Sequence, residues 1–245
     1  MIPKNHPRYE SLLLREKIKD AFKEGYLADS GMIAHGRGET FDYLIGEKTI
    51  FPAKRAMYVA VAEIILAENP VISVNGNTTA LVIDEIIELA KTLKTKIEIN
   101  LFYRTEERVN KIAKLFKEHG WEEILGTTDG QLKYIKNIKN PRATASKLGI
   151  YTSDVVLVPL EDGDRAEILK KAGKKIITID LNPLSRTSRT ADITIVDNVV
   201  RAIPYMTKIA SDLKKQDKKF LNELINNFSN KENLKESLKS FKIKE

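Results

Sequence analysis

Cysteine is absent from the 245 residues, which excludes disulfides, thiolate metal sites and cysteine nucleophiles. Histidine is scarce: His6, His35 and His119 lie far apart in sequence. No protein-built metal centre is expected, and any metal would rest on carboxylates and ligand phosphates, as Mg²⁺ usually does. No apolar stretch approaches the roughly 20 residues that span a bilayer, and Glu63 interrupts the best run, Tyr58–Ala67. Met1-Ile-Pro-Lys-Asn-His-Pro7 lacks the apolar core of a signal peptide, so a soluble cytoplasmic protein with no membrane partner is expected. Walker A, strand–GxGxxG–helix and nucleophile-elbow sequences are missing too. Hydrolase chemistry has no visible centre.

What is present is charge and apolar bulk. Apolar residues make up 42%, enough for a sizeable core and too many for a disordered chain. The net charge is +7, and the tail Ser211–Glu245 carries +3 of it through 9 Lys against 6 acidic residues. The rest is diffuse. A nucleic-acid surface would need a tighter basic stripe with interleaved aromatics, so no nucleic-acid partner is expected.

Leu14, Ile18 and Phe22 recur every four residues and predict a helix over Tyr9–Phe22. Pro52 opens a second, Pro52–Ala67, with Met57, Val61, Ile64 and Ile65 on its buried face. Between them Gly31–Glu39 has three glycines in its first eight residues and reads as a loop. An alternation begins after residue 70. Strands are predicted at 71–74, 97–102, 155–158, 176–179 and 193–196, and helices at 84–93, 105–118, 164–172 and 199–213. Short, nearly continuous apolar strands between helices predict a doubly wound, Rossmann-like α/β sheet, parallel and covered by helices on both faces. One domain over residues 1–245 is expected. Its parts are an N-terminal helical and glycine-loop part (1–69), a core (70–213) with a hairpin-like insert (122–150), and a Lys-rich helical tail (214–245).

Ligands of such sheets bind beyond the carboxyl ends of the strands. Those ends read Asn75-Gly-Asn77, Tyr103-Arg104, Pro159-Leu-Glu-Asp-Gly-Asp-Arg165, Asp180-Leu-Asn-Pro-Leu-Ser-Arg-Thr-Ser-Arg189 and Asp197-Asn198. Turn chemistry alone accounts for the asparagines and glycines but not for Arg104, Arg186 and Arg189, which suit an anion. Asp180 and Asn182 can meet a base edge or ribose, and Ser185, Arg186 and Thr187 can hold phosphate oxygens, unless this is only a capped surface turn. His35-Gly-Arg-Gly38 resembles a phosphate cradle in which Arg37 supplies the charge. Glu161, Asp162 and Asp164 are candidate Mg²⁺ ligands, although acidic residues opening a helix explain them equally well.

Several segments together resemble the archaeal-type phosphopantothenate synthetase family, the 4-phosphopantoate–β-alanine ligases. They are Ile2-Pro-Lys-Asn-His-Pro-Arg-Tyr9, Arg15-Glu-Lys17, Ile33-Ala-His-Gly-Arg-Gly-Glu39 with Phe41-Asp-Tyr-Leu-Ile-Gly-Glu47, Pro70-Val-Ile-Ser-Val-Asn-Gly-Asn77, Glu98-Ile-Asn-Leu-Phe-Tyr-Arg-Thr-Glu-Glu-Arg108, Val158-Pro-Leu-Glu-Asp-Gly-Asp-Arg165 and Thr178-Ile-Asp-Leu-Asn-Pro-Leu-Ser-Arg186. The likeness reaches residue 213 or so and is not close over 122–150 or the tail. The HxGH and KMSKS elements of the bacterial pantothenate-forming ligases are absent. The resemblance implies a ligase of coenzyme A biosynthesis, a homodimer using ATP and Mg²⁺, that joins 4-phosphopantoate to β-alanine through an acyl-adenylate. It assigns ATP contacts to Arg15, Arg37, Asp180, Leu181, Asn182, Arg186, Thr187, Asn198 and Val199. Arg37, Arg186 and Arg104 are the expected catalytic cations, and Arg104 or Arg189 would anchor the second phosphate. An ADP-forming ligase using an acyl-phosphate, and a nucleotide-binding regulatory or RNA-associated module, are the competing readings.

Overall fold

The computed structural model describes residues 2–127, 132–135 and 143–241. Six parallel strands form the main sheet: β1 (Val71–Val74), β2 (Lys96–Ile99), β3 (Ile124–Leu125), β6 (Val155–Leu157), β7 (Lys175–Ile179) and β8 (Ile193–Ile195). Their spatial order is β3-β2-β1-β6-β7-β8, so the chain starts in the middle, runs to one edge, and returns to build the other. This is the doubly wound order, with its reversal between β1 and β6.

Period-two alternation assigns the two faces. Ile72, Val74, Ile97, Ile99, Val155, Leu157, Ile177 and Ile179 enter the larger core, while Val71, Val156 and Ile176 enter a smaller one. The larger core is closed by α3 (Phe51–Leu66), α4 (Gly76–Leu93), α8 (Val199–Leu213) and the C-terminal α9 (Lys218–Asn226) and α10 (Asn230–Lys239). Over the smaller core lie α6 (Gly163–Lys171) and the antiparallel pair β4 (Leu132–Tyr134) and β5 (Thr144–Ser146). This antiparallel pair lies within the 122–150 stretch expected to be a hairpin-like insert, of which residues 128–131 and 136–142 lie outside the described ones. The first residues of that stretch belong elsewhere: β3 pairs with β2 as an edge strand of the main sheet.

Helix starts follow capping chemistry. Asn75 and Thr78 make a reciprocal capping box that opens α4 eight residues earlier than its apolar periodicity indicates. The Thr105 side chain caps α5 (Glu106–Glu118), Asp162 caps α6, Ser185 caps the short α7 (Arg186–Thr190), and Asn198 caps α8. Because these caps sit where strands end, the same residues that start helices also face the carboxyl edge of the sheet.

The Gly31–Glu39 stretch corrects the sequence reading. It is not a loop but the middle of α2 (Asp29–Leu44), which follows α1 (Tyr9–Lys23). None of its glycines has an unusual dihedral, and Gly31 serves close packing. A Cβ on Gly31 would stand 2.6 Å from Leu27 Cδ1 and 2.9 Å from Asn77 Oδ1. Tertiary contact overrides low helix propensity.

Candidate functional site

A cleft of about 390 Å³ opens over the carboxyl ends of β6, β7 and β8, roofed by α2. Its floor is set by Leu160–Gly163 after β6, Asp180–Asn182 after β7, Ser185–Thr187 at the start of α7, and Asn198 before α8; Arg37, Gly38 and Asp42 come from α2. It therefore begins at the strand-order reversal, where loops from the two halves of a doubly wound sheet diverge.

The loop after β7 is rigidified by its own side chains. Asp180 Oδ1 accepts from the Asn182 backbone N–H at 2.9 Å, and Oδ2 accepts from the Ser185 hydroxyl. Asn182 Oδ1 accepts from Leu184 N–H, and the Ser188 hydroxyl donates to the Asn182 carbonyl. Burial pushes the Asp180 carboxyl up from its ordinary value, against the lowering effect of the Ser185 and Asn182 hydrogen bonds and of Arg37. Asp180 thus holds the turn that presents the cleft wall. Thr187 donates to the Glu161 carbonyl at 2.9 Å and locks α7 to the loop after β6.

Arg186 lies across the start of α6, so close that a Cβ on Gly163 would stand 2.9 Å from the Arg186 Cβ. Its guanidinium pairs with Asp164 and, at 3.0 Å, with Glu167. These are exposed ion pairs of small worth. Glu161 and Asp162 line the cleft as well. Asp162 spends one oxygen on the α6 cap, and Glu161 accepts from the Asp162 N–H.

At the back stands a buried charge cluster. Arg201, on the first turn of α8, reaches Asp42 on α2 at 2.5 Å and Asp197 at 2.6 Å. Asn198 Nδ2 donates to Asp42 Oδ2 at 2.8 Å, and Thr49 donates to Asp197 Oδ2 at 2.7 Å. Burial raises the Asp197 carboxyl, with Arg201 opposing it; burial lowers Arg201, but the two carboxylates outweigh that and raise it. The cluster fastens α2, which carries Arg37, to the start of α8, which carries Asn198.

The expected residues divide clearly. Arg37, Asp180, Leu181, Asn182, Arg186, Thr187 and Asn198 line this one cleft. Val199 is buried at the first turn of α8 and contributes packing behind it. Arg15 belongs to an adjoining cavity of about 620 Å³ between α1 and α2, where it and Arg8 pair with Glu39 at 2.8 and 2.6 Å. Glu39 and His35 form the wall shared by cavity and cleft. Burial lowers the His35 pKa, with Glu39 opposing, and its Nε2 is enclosed without a partner among the described residues. Arg104 is not brought to the others. It donates to the Gly126 carbonyl at 2.7 Å and lines a separate cavity with Glu98 beneath the β4–β5 pair. Arg189 donates to the Ser185 carbonyl. His35-Gly-Arg-Gly38 is no backbone cradle, because the amides at these helix-interior positions belong to the helical ladder; only the Arg37 side chain can supply its charge.

Sequence reasoning did not single out Asp42 or Arg201. Asp197 and Arg201 stand four apart at the head of a helix, the spacing of a side-chain pair, which was an available signal. Asp42 lies just past the Gly31–Glu39 stretch read as a loop, in a segment for which no element was expected.

The chain matches the family model for phosphopantothenate/pantothenate synthetase over residues 52–244. Two relatives, from Thermococcus kodakarensis and Thermococcus onnurineus, are each 55% identical over 97% of this chain and 90% of their own length. A third, from Methanosarcina mazei, is 52% identical over 97% of this chain and 92% of its own. Each of the three bears the name 4-phosphopantoate–beta-alanine ligase. Likeness of this extent spans every loop that builds the cleft: the chain belongs to the phosphopantothenate/pantothenate synthetase family.

Proposed function

We propose that the chain joins 4-phosphopantoate to β-alanine at the expense of ATP, giving 4′-phosphopantothenate, AMP and pyrophosphate for coenzyme A biosynthesis. The observation that carries this is a cleft at the strand-order reversal with Arg37 and Arg186 on its walls, in a chain at least half identical to ligases of that name nearly end to end.

The chemistry needs cations and positioning more than a nucleophile. A carboxylate oxygen of the acid attacks the α-phosphorus of ATP, the new O–P bond forms, and pyrophosphate leaves. The β-alanine amine then attacks the acyl carbon of the acyl-adenylate, a C–N bond forms, AMP departs, and the nitrogen loses its proton. Negative charge builds around phosphorus in the first step, where fixed guanidinium groups lower the barrier most. In this reading Arg37 takes that charge, Arg186 leaves Asp164 and Glu167 to grip phosphate oxygens, and Asn182 with the Asp180 turn meets the nucleoside. Among the described residues no three His, Asp or Glu side chains gather as a metal cluster. Mg²⁺ would then sit chiefly on phosphate oxygens, with Glu161 and Asp162 beside it. A cytoplasmic homodimer completes the reading; the exposed Phe51, Tyr58 and Phe220 around an apolar groove of about 520 Å³ support a self-association face.

The test is an assay with ATP, Mg²⁺, β-alanine and either 4-phosphopantoate or pantoate, with nucleotides resolved. AMP formed only with the phosphorylated acid is expected. Stoichiometric ADP, or equal use of pantoate, overturns the reading.

A further inference from the structure

The C-terminal helix α10 reaches the cleft wall through one side chain. β8 stands last in the sheet order, with Thr194 at its middle. Two asparagines one turn apart on α10 bond Thr194 where a further strand would pair. Asn230 Oδ1 accepts from the Thr194 N–H, and Asn233 Nδ2 donates to the Thr194 carbonyl, both at 2.8 Å. Asn230 does more. Its Nδ2 donates to the carbonyls of Ser188 and Ala191 at 3.0 and 2.9 Å, at the C-terminal end of α7. On the basis of the ligase reading above, we propose that Asn230 is a positioning residue for nucleotide binding. It holds α7 from behind and, through Ser188, sets where Asn182 and Arg186 stand in the cleft.

The partners leave the Asn230 amide a single orientation, because an N–H faces its oxygen and two carbonyls face its nitrogen. α7 needs such a support. With five residues it gains little from its own ladder, and its last carbonyls depend on donors from outside. Ser188 is the junction. It is fully buried, and its carbonyl accepts both from Asn230 and, at 2.8 Å, from the Thr194 hydroxyl. Its N–H donates to Ser185 Oγ at 2.9 Å, and its hydroxyl donates to the Asn182 carbonyl at 2.8 Å. Asn182, Ser185 and Arg186 all line the cleft. One buried residue thus carries the position of α10 to the Asp180 turn and to the start of α7. The Asn233 amide bonds β8 and not α7, which makes it the natural comparison.

ATP titration and steady-state kinetics on the full chain test this, with Asn230→Asp and Asn233→Ala compared. Asn230→Asp keeps an acceptor for the Thr194 N–H and suits the first position of α10, where a carboxylate meets the positive end of the helix. Its effect therefore falls on the two α7 carbonyls. It should weaken ATP binding roughly 3- to 30-fold and raise the KM for ATP in step, with the KM for β-alanine held within about two-fold. Asn233→Ala should lower the melting temperature yet leave ATP affinity within about two-fold. If Asn230→Asp does not fold, the smaller and neutral Asn230→Ser takes its place. Ser188→Ala removes the hydroxyl link to Asn182, so Asn230→Asp should cost less ATP affinity in that background than alone. Unchanged ATP affinity in Asn230→Asp, or an equal loss in Asn230→Asp and Asn233→Ala, overturns the inference, and full additivity with Ser188→Ala overturns the route through Ser188. An unaltered protein that binds ATP but forms no AMP sinks the ligase reading alone, since the ATP affinities still decide the role of Asn230.

Discussion

Arg37 and Asp180 face the same cleft but carry different structural duties, and substitutions should separate them. Arg37 projects from an exposed position in the interior of α2, where alanine is a better helix former than arginine. Arg37→Ala should keep its melting temperature and lose roughly 10²-fold or more in kcat/KM, about 3 kcal/mol of transition-state stabilisation. Asp180 is a different case, because both its oxygens accept hydrogen bonds within the turn. Asp180→Ala should lose activity and stability together, the latter by about 1–3 kcal/mol as a backbone N–H and a hydroxyl lose their acceptor. Thermal melts alongside steady-state kinetics decide both. Near-normal turnover by Arg37→Ala, or an unchanged melt for Asp180→Ala, would refute the corresponding half. That the Asp180 turn opens at the carboxyl edge of the sheet was legible because a strand end, a proline and hydroxyl residues coincide there. Its internal bonding was not, because a carboxylate that caps its own loop and one that meets a ribose look alike in sequence.

Helix α2 is where element-level reading failed, and its glycines show why. Three glycines signal a loop if each is assumed to need a special φ, yet all three stand in ordinary helix. Gly31 is required by contact, since its Cβ would press on Leu27 and Asn77. Gly36 has open space where its Cβ would be. Gly36→Ala should therefore stabilise the protein by about 0.5–1 kcal/mol, through helix propensity and a less flexible unfolded chain, while Gly31→Ala should destabilise it. Chemical denaturation midpoints check the pair, and a common sign for both would contradict this account. Five of the six parallel strands were legible because burial on both faces leaves uninterrupted apolar runs, while β3, two residues long at the sheet edge, was not. Legible too were the bounds of α5 and α8, expected within a residue. The early start of α4 was hidden because its first turn is polar and held by a capping box, which apolar periodicity does not register.

Across the whole molecule, the Arg201 cluster joins the N-terminal layer to the sheet. Asp42 and Asp197 are both buried, and each depends on the same guanidinium. Arg201→Ala would leave two enclosed carboxylates uncompensated and should cost roughly 3 kcal/mol, with weaker ATP binding because Asn198 and Arg37 lose their common brace. Denaturation and ATP titration of that variant check it; an unaltered stability would mean that the cluster is relaxed by solvent. The strand-order reversal has a further consequence. The space on the β1–β2 side is lined by residues from 75–108 together with residues from 26–37, the cleft over β6–β8 chiefly by residues from 160–198, and Arg37 with Leu160, Glu161 and Asp162 borders both. The two spaces are thus written in largely separate stretches of the chain. Substitutions in the first stretch can reshape one space while the Asp180 turn and the Ser185 cap that build the other are inherited unchanged.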